Sequence, residues 1–127
     1  MPFLPAVVAP AVAEKELTAQ QLYERGFSAA GLDEKLRYYS EAICLKPDYA
    51  FAYIMRGLAR KDLGDLEGAL RDCSDGIRLK PDYAHGFVAR GFVRRASGDL
   101  AGALEDYNEA IRLKPDYSAG FLARGLV

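Results

Sequence analysis

Lys46-Pro47-Asp48-Tyr49 recurs as Lys80-Pro81-Asp82-Tyr83 and again as Lys114-Pro115-Asp116-Tyr117, each time after 34 residues. Working outward from these signatures, Ala50–Tyr83 aligns with Ala84–Tyr117 without a gap, with 18 of 34 positions identical. The shared positions include Arg56/Arg90, Gly57/Gly91, Gly64/Gly98, Asp65/Asp99, Ala69/Ala103, Asp72/Asp106 and Ile77/Ile111. Likeness at a fixed step of this length marks a stacked array of supersecondary units, each unable to bury its apolar face alone.

Each unit reads as two helices. Tyr53, Arg56, Gly57 and Arg60 recur at steps of three and four, which places them on one helical face. Gly64 supplies a left-handed residue to end that helix, and Asp65 can cap the next. Leu66, Ala69, Leu70, Cys73, Gly76 and Ile77 continue with helical spacing to Leu79. Pro81 stops this second helix, because the residue before a proline is pushed out of the helical region, and Asp82 is placed to help cap the one that follows. Phe87, Gly91, Gly98, Asp99, Ala103, Tyr107 and Ala110 repeat the scheme. Short connections force the helices of each pair to lie antiparallel.

These positions carry a family resemblance. Counting from Ala50, Tyr53, Gly57, Gly64, Ala69 and Pro81 occupy fixed positions of a 34-residue helix–turn–helix pattern, with Cys73 and Gly76 as smaller stand-ins. Counting from Ala84, Phe87, Gly91, Gly98, Ala103, Tyr107, Ala110 and Pro115 do the same. The unit resembles the tetratricopeptide repeat. A first unit over residues 16–49 is degenerate: Tyr39, Ala42 and Pro47 fit, but Tyr23 stands at the small-residue position and Lys35 at the alanine position. A partial unit begins at Ser118 with Phe121 and Gly125.

The resemblance implies an all-α, right-handed solenoid of stacked antiparallel helix pairs over residues 14–127. Its first helices would line a concave groove that binds a peptide or a partner helix. Carried onto this sequence, the groove positions are Phe51, Ile54, Leu58, Lys61, His85, Val88, Phe92, Arg95 and Leu122. The expected function is a non-enzymatic protein–protein interaction module. An accessory or targeting repeat fragment of a larger multidomain enzyme or scaffold is the alternative. Chaperone-binding members of the family hold a terminal carboxylate with Lys, Asn and Arg; Gln20, Glu24, Met55, His85 and Ala89 stand there instead, so that clamp is not expected.

Composition closes other routes. Seventeen Lys and Arg against 18 Asp and Glu give a net charge of −1, with no cationic surplus for phosphate neutralisation in nucleic-acid binding. Two cysteines and one histidine fit no zinc spacing, and the glycines form no phosphate-cradling loop, so no metal, cofactor or catalytic constellation is expected. Both cysteines read as small buried hydrophobes on helices. Gly57, Gly91 and Gly125 share one position, and each Gly costs a helix about 0.8–1.0 kcal/mol relative to Ala. They are expected to let the paired helix approach, with Ala69 or Ala103 opposite.

Arg56, Arg90 and Arg124 share another position, usually leucine in the family, and Asp72 and Asp106 recur across the helix pair. In the first unit the equivalents are Leu22 and Tyr38, so charge stands at both positions or at neither. An ion pair at the helix–helix seam is expected, with an arginine row for an anionic ligand as the competing reading.

Residues 1–13 carry no charge and hold Pro2, Pro5 and Pro10. They are too short and too broken to span a membrane and read as a disordered extension or a signal remnant. A cytoplasmic location is expected, with secretion or a periplasmic site if they are a signal. Phe121, Leu122, Leu126 and Val127 point to possible self-association through 118–127.

Overall fold

The computed structural model describes residues 17–125. The readings made for 1–13 and for Leu126 and Val127 lie outside the described residues. Among the described residues seven helices follow one another: α1 (Ala19–Ser28), α2 (Leu32–Leu45), α3 (Ala50–Asp62), α4 (Leu66–Leu79), α5 (Ala84–Ala96), α6 (Leu100–Leu113) and α7 (Ser118–Gly125). Among the described residues there is no strand. Each helix packs on the next, and α3 also packs on α5, as α5 does on α7. This is the all-α solenoid expected from the repeat.

Local chemistry sets the boundaries. Gly64 and Gly98 have φ of 90° and 89°, the left-handed conformation in which glycine carries no Cβ penalty. The Asp65 amide then donates to the Arg60 carbonyl at 2.9 Å, and Asp99 to Arg94 at 2.8 Å, closing the ends of α3 and α5. The Asp65 carboxylate accepts the Gly68 amide at 3.0 Å, and Asp99 that of Gly102 at 2.9 Å. A Cβ on Gly68 or Gly102 would lie 2.3 Å from that carboxylate, which explains two glycines the pattern alone leaves without a role.

Lys-Pro-Asp-Tyr is a four-residue turn. The amides of Tyr49, Tyr83 and Tyr117 donate to the carbonyls of Lys46, Lys80 and Lys114 at 3.0, 3.2 and 2.9 Å. Proline at the second place presets φ for such a turn. Asp82 does not cap the following helix. Its N-cap is Tyr83, without a side-chain bond, and Asp82 instead pairs with Lys80 at 3.4 Å.

The core runs along the seams. A Cβ on Gly91 would come within 2.3 Å of the Tyr107 ring, and one on Gly57 within 2.7 Å of Cys73 Sγ and 3.0 Å of the Ala69 carbonyl. Close approach is therefore real at these two positions, although the residue opposite Gly91 is Tyr107 rather than Ala103. At Gly125 no described atom lies within 4 Å of a Cβ position. Of the two cysteines only Cys73 is buried; Cys44, on α2, is exposed.

The first unit solves the same problem differently. Gly26, one turn beyond the usual place, receives the Tyr39 ring, with 2.6 Å left for a Cβ. Its α1 is shorter than α3 and α5, and Lys35 Nζ donates to the carbonyls of Gly26 and Phe27 at 3.1 Å each. The lysine in place of alanine closes the early end of α1.

Candidate functional site

Two sets of side chains were candidates for ligand contact, the arginine row and the faces of α3 and α5. The arginines are engaged internally. Arg56 grips Asp72 through Nε and Nη2 at 2.8 and 2.9 Å, and Arg60 adds a bond to the same carboxylate at 2.9 Å. Arg90 and Arg94 repeat this on Asp106 at 3.1, 2.9 and 3.0 Å. Asp72 and Asp106 are each only 2% exposed. A buried carboxylate is costly unless paired and hydrogen-bonded, and two guanidiniums meet that need. The Asp72 hydrogen bond is the main cause holding the Arg56 pKa above its ordinary value. Arg60 and Arg94 were missed as partners, although they recur in phase one turn after Arg56 and Arg90.

Arg56 also reaches back to Ser40 on α2 at 3.2 Å, and Arg124 to Asn108 on α6 at 3.1 Å. Both contacts cross from one unit to the preceding one. The arginine row is therefore part of the seam, and the anionic-ligand reading has no open guanidinium at Arg56 or Arg90.

The structure divides the expected groove residues into two groups. Ile54 and Val88 are each 1% exposed and belong to the core. Ile54 fills the space left by Gly76 and Gly86, where a Cβ would lie 2.5 and 3.0 Å from it. Neither presents a surface to a partner: Ile54 sits in the space left by those glycines, and Val88 packs with Ala84 and Ala110. Phe51, Leu58, Lys61, His85, Phe92 and Arg95 are all half-buried on α3 and α5. Arg95 lies over the Phe92 ring at 5.5 Å, and Lys61 pairs with Asp62 at 3.2 Å. Leu122 lies on α7, but its side chain is outside the described residues.

A feature not read from the sequence joins these helices at the Lys-Pro-Asp-Tyr turns. Tyr49–Phe51, Phe51–Tyr83 and Tyr83–His85 ring centroids are 6.4, 4.7 and 5.8 Å apart. His85 Nδ1 then shares a hydrogen bond of 3.0 Å with the Tyr117 hydroxyl. Burial lowers the His85 pKa and raises those of Tyr83 and Tyr117, so this edge is uncharged at its rings near neutral pH. The signal was present in the recurring Tyr49, Tyr83 and Tyr117, but only folding brings Phe51 and His85 between them.

Among the described residues, no cluster of His, Cys, Asp and Glu is placed to hold a metal ion. None of the described helices is long and apolar enough to cross a membrane.

Residues 91–127 match a family model described as TPR repeat. That stretch is similar to the tetratricopeptide repeat. Its fold is similar to that of the first TPR domain of human RPAP3, with a TM-score of 0.81 and 24% identity over 86% of this chain and 88% of that one. The second TPR domain of human RPAP3, solved with an HSP70 peptide, gives 0.77 and 23% over 85% and 92%. The Arabidopsis OM64 TPR domain gives 0.78 and 22% over 85% and 92%. A search of curated proteins found no match. At these identities the likeness to solved structures establishes the repeat fold.

Proposed function

We propose that residues 14–127 form a non-enzymatic protein-interaction module that binds a peptide or partner helix across the first helices of its units. The carrying observation is the half-buried row Phe51, Leu58, His85 and Phe92, edged by Lys61 and Arg95, on two helices that pack side by side. Apolar anchors with a polar rim suit the apolar face of an amphipathic helix or an extended segment. A related fold, the second RPAP3 domain, was solved with an HSP70 peptide, which supports peptide binding as the use of this face.

The ligand differs in chemistry from an acidic tail held by a carboxylate clamp. At the clamp positions Glu24 is itself anionic and accepts a bond from Gln20 at 3.3 Å, and Ala89 is fully buried. Cys44 and Cys73 are free thiols, which fits a reducing, cytoplasmic compartment.

Selection of a displayed peptide library on the intact chain tests this reading. Phe92→Glu and the surface pair Lys61→Glu/Arg95→Glu should each weaken the selected peptides at least tenfold, on the order of 1.4 kcal/mol. The charge pair should do so without moving the melting temperature. Equal binding by all variants would place the ligand elsewhere.

A further inference from the structure

Four half-buried arginines of the first helices are neutralised by buried carboxylates, and a fifth is not. Arg56 lies 5.6 Å over the Tyr53 ring and Arg90 5.6 Å over Phe87, and each also grips an aspartate. Arg60 and Arg94 complete the same two carboxylates. Arg95 makes the same stack, 5.5 Å over Phe92, but among the described residues no carboxylate pairs with it. It is half-buried like the other four. Its equivalent 34 residues earlier is Lys61, whose one ion-pair partner is its chain neighbour Asp62, itself 54% exposed. Arg25, Arg37 and Arg71 form no ion pair either, but they are exposed and water solvates them.

The missing carboxylate constrains what can lie on Phe92. A ligand that covers this ring also covers the guanidinium stacked on it. Taking a guanidinium out of water without a counter-charge is costly. Its fork of N–H donors is matched best by a carboxylate, which accepts two parallel hydrogen bonds. The whole chain has a net charge of −1, so no overall cationic field supplies this preference; it is local to Arg95 and Lys61.

Spacing adds a second constraint. Leu58 with Lys61, and Phe92 with Arg95, stand three residues apart and share a helical face. Their helices, α3 and α5, pack on each other, and packed helices lie about 8–10 Å apart. Seven residues of an α-helix rise about 10.5 Å. A helix laid across α3 and α5 therefore brings side chains seven apart onto equivalent positions of the two units. In the first unit these positions hold Glu24 and Phe27, with charged and apolar places exchanged, so an acidic flank stops at the second unit and the register is set.

Taking the first helices as the binding face, on which this step rests, we infer that their occupant is an amphipathic helix with an acidic flank. Its apolar side chains lie over Leu58 and Phe92, and its Asp or Glu side chains, about seven residues apart, face Lys61 and Arg95. These are side-chain carboxylates along a helix, not the terminal carboxylate of a clamp.

The test selects a displayed library of random peptides in parallel on three full-length chains: the parent, Lys61→Glu/Arg95→Glu, and Arg37→Glu/Arg71→Glu. The last makes the same change in net charge on exposed residues of the second helices. Parent and Arg37/Arg71 chains should both select peptides with acids at helical spacing beside an apolar stripe. The Lys61/Arg95 chain should select Lys or Arg at those places, a reversal that a destabilised fold cannot produce. Exchanging the acids of a parent-selected peptide for Gln or Asn should weaken it at least tenfold, and added salt should weaken the acidic form more. Selected peptides without acid enrichment that still lose binding to Phe92→Glu, shown folded by circular dichroism, would overturn the acidic flank and leave the groove standing. Acids at the spacing of an extended chain would overturn the helix. Peptides that bind Phe92→Glu as well as the parent, or a selection that yields none, would overturn the groove reading and the acidic flank with it.

Discussion

The first unit and the two that follow close the same helix–helix seam with opposite chemistry. In the first, Leu22 is buried with Ala42 and Ala52 against half-buried Tyr38, an apolar joint. In the second and third, the same two positions hold Arg56 with Asp72 and Arg90 with Asp106, each carboxylate braced by a further arginine. The fold accepts either solution, because what it requires is complementarity across the seam. A charge at one position alone would be buried without a partner. The Arg/Asp seam also adds direction: Arg56 extends to Ser40 of the preceding unit, so one side chain ties three helices together.

The sharpest way to break this comparison is to remove one partner. Asp72→Ala or Asp106→Ala should cost about 3–5 kcal/mol, because two arginines lose their buried counter-charge. Replacing the pair together, as Arg56→Leu with Asp72→Leu, converts the second seam toward the first. It should cost clearly less than Asp72→Ala alone. Denaturant unfolding of the three variants measures the difference, and a double replacement as damaging as the single one would mean that the charges are not interchangeable with an apolar joint.

Next in size is the contact that all three units share. Gly57→Leu or Gly91→Leu should overpack the seam by about 1–3 kcal/mol, and Gly125→Ala, with open space around it, should leave the melting temperature unchanged or raised. A tolerated leucine at either seam glycine would sink the close-approach reading.

A third contrast lies at the residue opposite those glycines, which is Tyr39, Cys73 and Tyr107 in successive units. Burial pushes the Cys73 thiol up to about 12, and likewise the Tyr39 phenol to about 12. Raised acidic groups stay neutral in the fold but ionise in the unfolded chain, so their contribution is complete below about pH 8.5. It should fall as pH rises from there toward 12, Cys73 acting before Tyr39. Stability measured across that range should flatten in its early part in Cys73→Ala. The same burial should leave Cys44 open to a thiol reagent at pH 7 and Cys73 unreactive until unfolding.

The smallest expected effect separates the tyrosines from the cysteine. The hydroxyls of Tyr39 and Tyr107 are buried without a hydrogen-bond partner. Tyr39→Phe and Tyr107→Phe each remove an unsatisfied group while keeping the ring against Gly26 or Gly91, and should be neutral to slightly stabilising. A loss above about 1 kcal/mol would point to a hydrogen bond by each hydroxyl.

Much of this molecule was legible in its sequence because a repeat writes its register several times. The helix pairs, the left-handed glycines, the Asp65 and Asp99 caps and the Arg56–Asp72 pairing follow from spacing and elementary stereochemistry, which act over a few residues. Function-bearing surface was less legible. Periodicity places Ile54 and Val88 on the same helical face as Phe51 and Phe92, yet only Gly76 and Gly86, on other helices, decide that Ile54 turns into the core. Gly26 taking the seam one turn late, Arg60 and Arg94 completing the buried carboxylates, and Phe51 and His85 entering a ladder of tyrosines likewise depend on which elements meet. Local sequence determined the helices and where they stop, since those are short-range steric and hydrogen-bonding choices. Tertiary structure decided which side chains remain available to a ligand, since burial is set by neighbours distant in the chain.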